Sequence, residues 1–190
     1  MMDLVLRPAR PADAPVMARL VNMAGEGLPL ALWTGMAAPG EDPWDVGAAR
    51  AARDEGAFSW RNALVAERDG AVQGMIITYE VDSEPEMPDA ETPPVFVPLI
   101  ALEAKAPGTR YINVLATLPD ARRTGVGTAL MQAVEGDAPA AGLSLIVASG
   151  NAAARRFYAG LGYGEVARMA VVEGMGWQTD HQDWILVTRP

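Results

Sequence analysis

The spacing of apolar residues changes repeatedly along the chain, and each change predicts a new element. Leu4, Val5 and Leu6 before Arg7 read as a short strand. Val16, Leu20 and Ala24 then recur at helical spacing with Met17 and Val21 beside them, which predicts a helix from about Pro11 to Ala24. Gly25, Gly27 and Pro29 interrupt this pattern before Leu30 to Met36, and Pro43 fits the first turn of another helix running to about Glu55. A helix, a loop and a helix are therefore expected ahead of the main sheet.

From Ala63 the period becomes that of strands. Ala63 to Glu67 and Val72 to Val81 flank Arg68-Asp69-Gly70-Ala71, whose Asp-Gly pair predicts a hairpin. Glu80 to Pro94 holds six acids and four prolines and reads as a solvated excursion, after which Val95 to Glu103 returns to an extended apolar pattern. Thr109 to Thr117 reads as a strand with Tyr111, Asn113, Leu115 and Thr117 on one face and Ile112, Val114 and Ala116 on the other. Pro119 ends it. Val126, Leu130 and Val134 trace a helix, and Leu143 to Ala148 is apolar enough for a strand covered on both faces. Ala154, Phe157, Tyr158 and Leu161 mark another helix stopped by Gly162, and strands near Glu165 to Val172 and Trp184 to Val187 close the chain. No internal repeat interrupts the series, and 190 residues fit one domain, 1–190.

Composition narrows the chemistry more than the fold. There is no cysteine, which excludes disulfides, thiolate metal sites and cysteine nucleophiles, and the one histidine, His181, cannot build a multi-histidine metal centre. No metal is expected. The formal charge of −9 argues against a nucleic-acid partner, which needs a basic footprint, and is compatible with a cationic acceptor. No stretch approaches the roughly 20 apolar residues of a membrane span, and Met1-Met2-Asp3-Leu4-Val5-Leu6-Arg7 lacks a signal-peptide pattern. A cytoplasmic protein with no membrane partner is expected.

The richest segment is Leu115 to Gly127, where a strand passes through a glycine-containing loop into a helix. A helix start exposes N–H groups without internal partners at the positive end of the dipole, so it can hold a phosphate. Arg122 and Arg123 add charge, and Gly125 permits close approach of backbone to ligand. On its own, a Gly-x-Gly pair at a helix start is equally often a tight turn. The Gly-Lys-Ser/Thr ending of a triphosphate loop is absent, and Leu130 stands where the dinucleotide fingerprint needs its third glycine.

Arg122-x-x-Gly125-x-Gly127 resembles the acyl-CoA pyrophosphate motif of the GNAT (Gcn5-related) N-acetyltransferase superfamily. Downstream, Asn151-x-x-Ala154-x-x-Phe157-Tyr158-x-x-Leu161-Gly162-Tyr163 looks like the later signature of the same family. The match is convincing from about Tyr111 to Val172 and weaker through the first helix and hairpin. The resemblance implies an α/β fold with a mixed, mostly antiparallel, splayed central sheet flanked by helices. It implies acyl transfer from acetyl-CoA, or another short acyl-CoA, by direct attack of a small-molecule or peptide amine. A non-catalytic acyl-CoA sensor on the same fold is the alternative, and the oligomeric state stays open, a homodimer included.

Carried over by position, the resemblance assigns the pyrophosphate to the backbone of Arg122, Arg123, Thr124, Gly125, Val126, Gly127 and Thr128. It assigns the pantetheine arm to the strand edge at Leu115, Ala116 and Thr117, with an amide near Leu115 as the oxyanion donor. Tyr158 stands where the family places the acid that protonates the CoA thiolate, against the competing reading of a packed core tyrosine. Asn151 reads equally as a pantetheine partner and as a helix N-cap. Some family members carry a catalytic glutamate at the position that corresponds to about Tyr111, so the sequence departs from that pattern, and deprotonation of the amine is left to another base or to water. Glu103 is the first candidate, from its place two residues after Ala101 on the extended segment, and Glu80 is the second; the default for each is surface carboxylate. His181 falls in a turn before the last strand and reads as a loop histidine. Trp33, Trp44 and Trp60 belong to the early helical region, as core or as walls of an acceptor pocket.

Overall fold

The computed structural model describes residues 3–190, so Met1 and Met2, with which the signal-peptide reading begins, lie outside the described residues. Among the described residues seven strands form a mixed, mostly antiparallel open sheet: β1 (Val5–Pro8), β2 (Ala63–Arg68), β3 (Ala71–Glu80), β4 (Arg110–Thr117), β5 (Leu143–Ala148), β6 (Gly164–Ala170) and β7 (Asp183–Arg189). Their order is β1-β2-β3-β4-β5-β7-β6. The helices are α1 (Ala14–Ala24), α2 (Leu28–Met36), α3 (Pro43–Ala51), α4 (Val97–Glu103), α5 (Val126–Glu135) and α6 (Ala152–Gly160). The chain divides into two compact units, the first running to Thr78 and taking in Asn113–Asp137, the second comprising Tyr79–Ile112 and Ala138–Pro190.

In the first unit the hairpin forms as its sequence predicts. Asp69 at φ 54° and Gly70 at φ 78° both take the left-handed conformation of a turn that matches strand twist. The core gathers Met17 and Leu20 of α1, Trp33 of α2, Val65 of β2, and Met75 and Ile77 of β3, with Val114 and Ala116 of β4. Burial of each large side chain contributes about 1.5–3 kcal/mol. Gly74 of β3 is required by this packing, because a Cβ there would lie 2.8 Å from the Ala116 carbonyl oxygen and from Val126 Cγ1. Arg7 ties β1 to the turn before α1. Its Nη1 and Nη2 donate to Asp13 at 2.8 and 3.0 Å, and its Nε donates to Glu67 at 2.8 Å.

The early region contains one more helix than its pattern predicts. Pro29 read as an interruption, but it occupies the first turn of α2, where its missing N–H costs nothing. The following helix, α3, is capped by the Asp42 carboxylate, which accepts from Trp44 N at 2.9 Å, and it ends at Ala51 rather than near Glu55.

In the second unit β4 and β5 pair in parallel at Arg110 with Leu143 and at Tyr111 with Ser144. No further pair extends this ladder among the described residues, although the strands continue to Thr117 and Ala148. Buried Thr109 and Ser144 share a hydroxyl hydrogen bond of 2.6 Å at its foot. β5 then pairs with β7 along its whole length, and β7 with β6.

The segment expected to be extended from Val95 to Glu103 is instead a 3-10 turn, Pro94–Phe96, followed by α4. A continuous apolar run has no period with which to choose between strand and helix. Pro98 lies in the first helical turn and could not have donated to a ladder, and the buried residues Pro98 and Leu102 are four apart, on one helix face that packs on β5, β6 and β7.

Candidate functional site

The first unit carries a backbone site. After β4 the chain makes a 3-10 turn at Pro119–Ala121, extends at Arg122 (φ −66°, ψ 147°), and turns left-handed at Arg123 (φ 60°) and again at Gly125 (φ 88°), which caps α5. Thr124 Oγ1 donates to the Ala121 carbonyl at 2.7 Å and pins the turn. Among the described residues the backbone N–H groups of Arg123 through Thr128 donate to no backbone acceptor, and the first bond into the helix is Ala129 N to Gly125 O at 2.9 Å. Gly125 has no side chain with which to cap them. The loop thus offers a run of amides at the positive end of a helix, with Arg122 and Arg123 exposed beside it. A Cβ on Gly125 would meet nothing within 4 Å, so the demand for glycine comes from the φ of 88°. On the strand before the loop, Ala116 is buried while Leu115 and Thr117 are half-buried.

The second unit carries side chains. Asn151 caps α6, its Oδ1 accepting from Ala154 N at 3.1 Å, so the capping reading holds for that oxygen. Tyr158 is buried on α6 between the rings of Phe157 and Tyr163, at 5.4 and 5.8 Å between centroids. Among the described residues its hydroxyl has no hydrogen-bond partner. Burial, followed by the neighbouring Tyr163, pushes its pKa well above the ordinary phenol value, so it stays protonated at neutral pH.

Glu103 ends α4 and is half-buried, with Oε2 accepting from the Tyr79 hydroxyl at 2.9 Å. Burial raises its pKa above the usual carboxylate range, while the Tyr79 hydrogen bond pulls the other way. Tyr79 lies against Tyr111, ring centroids 5.4 Å apart, and the Tyr111 hydroxyl is pushed up first by burial and then by Glu103 and Tyr158. The four tyrosines of the chain thus fall in two ring pairs, Tyr79 with Tyr111 and Tyr158 with Tyr163, and Glu103 joins the first through its hydrogen bond with Tyr79. The sequence pointed to Tyr158 and Glu103 but not to Tyr79, whose partner lies 24 residues away.

A cleft of about 360 Å³ opens beside Tyr79 and Glu103. Val81, Pro85, Ile100 and Ala104 give it apolar walls, Tyr79 and Glu103 also line it, and Glu80, Asp82 and Glu86 add carboxylates. Glu80, the second candidate base, is exposed and engaged by Arg110 at 3.6 Å. His181 sits against Gly150, and Trp33 and Trp44 pack edge to face within the first unit at 6.0 Å. Among the described residues no group of three or more acidic or histidine side chains could hold a metal ion, and no helix is long and apolar enough to cross a membrane.

No curated protein sequence matches the chain. Solved structures do. An N-acetyltransferase from Staphylococcus aureus Mu50 is 19% identical with a TM-score of 0.65, covering 96% of this chain and 98% of its own. The ribosomal-protein-S18-alanine N-acetyltransferase from Escherichia coli is 16% identical with a TM-score of 0.55, covering 97% and 92%. The diaminobutyrate acetyltransferase from Paenibacillus lautus, in complex with L-2,4-diaminobutyric acid and coenzyme A, is 13% identical with a TM-score of 0.56, covering 99% and 96%. At these identities the likeness is one of fold. The model of the acetyltransferase (GNAT) family matches residues 32–163, which take in both the loop before α5 and the tyrosine of α6, and the chain belongs to that family.

Proposed function

We propose that this protein is an N-acetyltransferase that transfers an acetyl group from acetyl-CoA to a cationic amine by direct attack, its 190 residues working as one catalytic domain. The run of unpartnered amides from Arg123 to Thr128 carries this reading, since a pyrophosphate is the ligand it suits. Arg122 and Arg123 supply charge at its mouth. The pantetheine arm follows β4 at Leu115, Ala116 and Thr117, with Asn151 as a further partner, and the Leu115 amide steadies the oxyanion.

The acceptor arrives as an ammonium ion, because an alkylamine has a pKa near about 10.4. Acidic surroundings at the cleft favour such a cation, and Glu103 takes its proton. The neutral nitrogen attacks the thioester carbonyl, the C–N bond forms, the C–S bond breaks, and Tyr158 gives its proton to the departing thiolate. The second proton that the nitrogen loses on becoming an amide returns through water to the Tyr158 phenolate. Tyr158 is protonated at neutral pH, as an ordinary phenol already is. No metal enters any step.

The experiment combines calorimetric titration of acetyl-CoA with a CoA-release assay on propylamine, 1,4-diaminobutane, L-lysine amide and an alanine-led peptide. Binding with CoA release on at least one amine supports the enzyme. Tight binding with no release on any amine replaces it with an acyl-CoA sensor, and absence of binding removes both.

A further inference from the structure

Glu103 has an unfavourable place for a carboxylate that must be ionised. It ends α4, where the carbonyl end of the helix is negative, and it is half-buried. The charged groups around it do not help. Glu80, Asp82 and Glu86 from β3 and the following loop line the same cleft and carry its own sign, and no cation lines it among the described residues; Arg110 reaches Glu80 at 3.6 Å. From β4 the neighbour is Tyr111, a neutral phenol. Among the described residues a single hydrogen bond favours the charged form, the 2.9 Å bond from the Tyr79 hydroxyl to Oε2.

We propose that Tyr79 is a positioning residue for the base: its hydroxyl holds Oε2 of Glu103 and leaves Oε1 as the oxygen that takes the acceptor's proton. This role rests on the reading of Glu103 as the base. The Tyr79 ring leans on buried Tyr111, so the hydroxyl is presented from a held ring, and Tyr79 and Glu103 line the cleft together with Ile100 and Ala104. In the transfer the N–H bond of the ammonium breaks and an O–H bond forms at Oε1. Tyr79 keeps its proton throughout, since burial and the Glu103 charge make its anion costly.

The test is Tyr79→Phe, which retains the ring and its stacking but removes the hydroxyl. The Glu103 carboxyl is titrated by 13C NMR in glutamate-labelled protein and assigned by its loss in Glu103→Gln. Melting temperature and acetyl-CoA affinity verify the fold. The Glu103 midpoint should rise by about one pH unit, the tenfold change expected for losing one hydrogen bond to a charged group. The acid limb of kcat/KM for the best amine of the panel should move by the same amount. An unmoved Glu103 midpoint overturns the role of Tyr79 alone, as does a rate loss equal at every pH. Full turnover in Glu103→Gln overturns the base assignment itself and leaves Tyr79 nothing to position.

Discussion

The first unit contains no tyrosine and presents the loop before α5, whose chemistry is that of peptide N–H groups. The second unit contains all four tyrosines, with Glu103 among them, and its chemistry is that of side chains held in partial burial. The contrast follows from the two tasks proposed for them. A pyrophosphate is a fixed, strongly charged group that backbone amides can cradle without titrating. Proton transfer needs groups whose affinity for a proton is set by their surroundings, and burial is what sets it here. Substitutions in the first unit should therefore act on binding, and substitutions in the second on rate.

The largest effect on binding should come from the backbone itself. Gly125→Val forces a β-branched residue to a φ of 88°, and to escape that strain the loop must turn its amides away. Calorimetry should show acetyl-CoA affinity falling by at least about 10²-fold, the loss of two hydrogen bonds to a charged group, in a protein that still melts cooperatively. Unchanged affinity in folded Gly125→Val breaks the assignment of the first unit.

The largest effect on rate should come from Glu103→Gln, expected to lower kcat/KM by about 10³-fold at pH 6 without weakening acetyl-CoA binding. The deficit should shrink as pH rises toward the acceptor's own pKa, because an amine that arrives neutral needs no base. In the unmodified protein the acid limb should lie above the ordinary carboxylate range, since the pKa of Glu103 is raised and the base is lost when it is protonated. Rate–pH profiles of both proteins check this.

Tyr158→Phe keeps the ring between Phe157 and Tyr163 and removes one proton, so kcat should fall by about 10²-fold with acetyl-CoA affinity unchanged. Pre-steady-state release of CoA measures it. Normal turnover with a lowered melting temperature would make Tyr158 a core residue and shift the second unit's acid elsewhere.

The smallest effect sharpens the comparison from the stability side. Asp13→Asn removes the carboxylate that Arg7 grips in the first unit and should cost about 1–3 kcal/mol at neutral pH by urea unfolding, with acetyl-CoA affinity unchanged. The Asp13 pKa is lowered, chiefly by Arg7, so this stability is present above the unfolded value of 3.8 and is lost as pH falls through the lower folded value. The difference between the two proteins should close in that acidic window.

How far each unit could be read from sequence follows the same divide. The loop before α5 was legible because a left-handed φ demands glycine, so the backbone's geometry leaves a mark in the letters at Gly125. The hairpin at Asp69-Gly70 was legible for the same reason, and β5 kept its expected bounds because its apolar run is short and bordered by turns. Tyr79 left no mark, since nothing in a strand's alternation says that its hydroxyl meets a carboxylate 24 residues on. Glu103 was reached by strand alternation, yet it stands at the end of a helix, so the reason that brought it forward does not hold. The extra helix α2 was hidden because proline both stops helices and starts them.

The segment between β3 and α4 contributes Val81, Asp82, Pro85 and Glu86 to the cleft wall. It is anchored where Val81 exchanges backbone bonds with Thr109 and Gly108, and from there to Asp89 no backbone N–H donates to a backbone acceptor among the described residues. A stretch outside any ladder can be lengthened, shortened or rewritten without disturbing the strands that flank it. Under the proposed reading, changes confined to this stretch should alter which amine is preferred and leave acetyl-CoA affinity as it is.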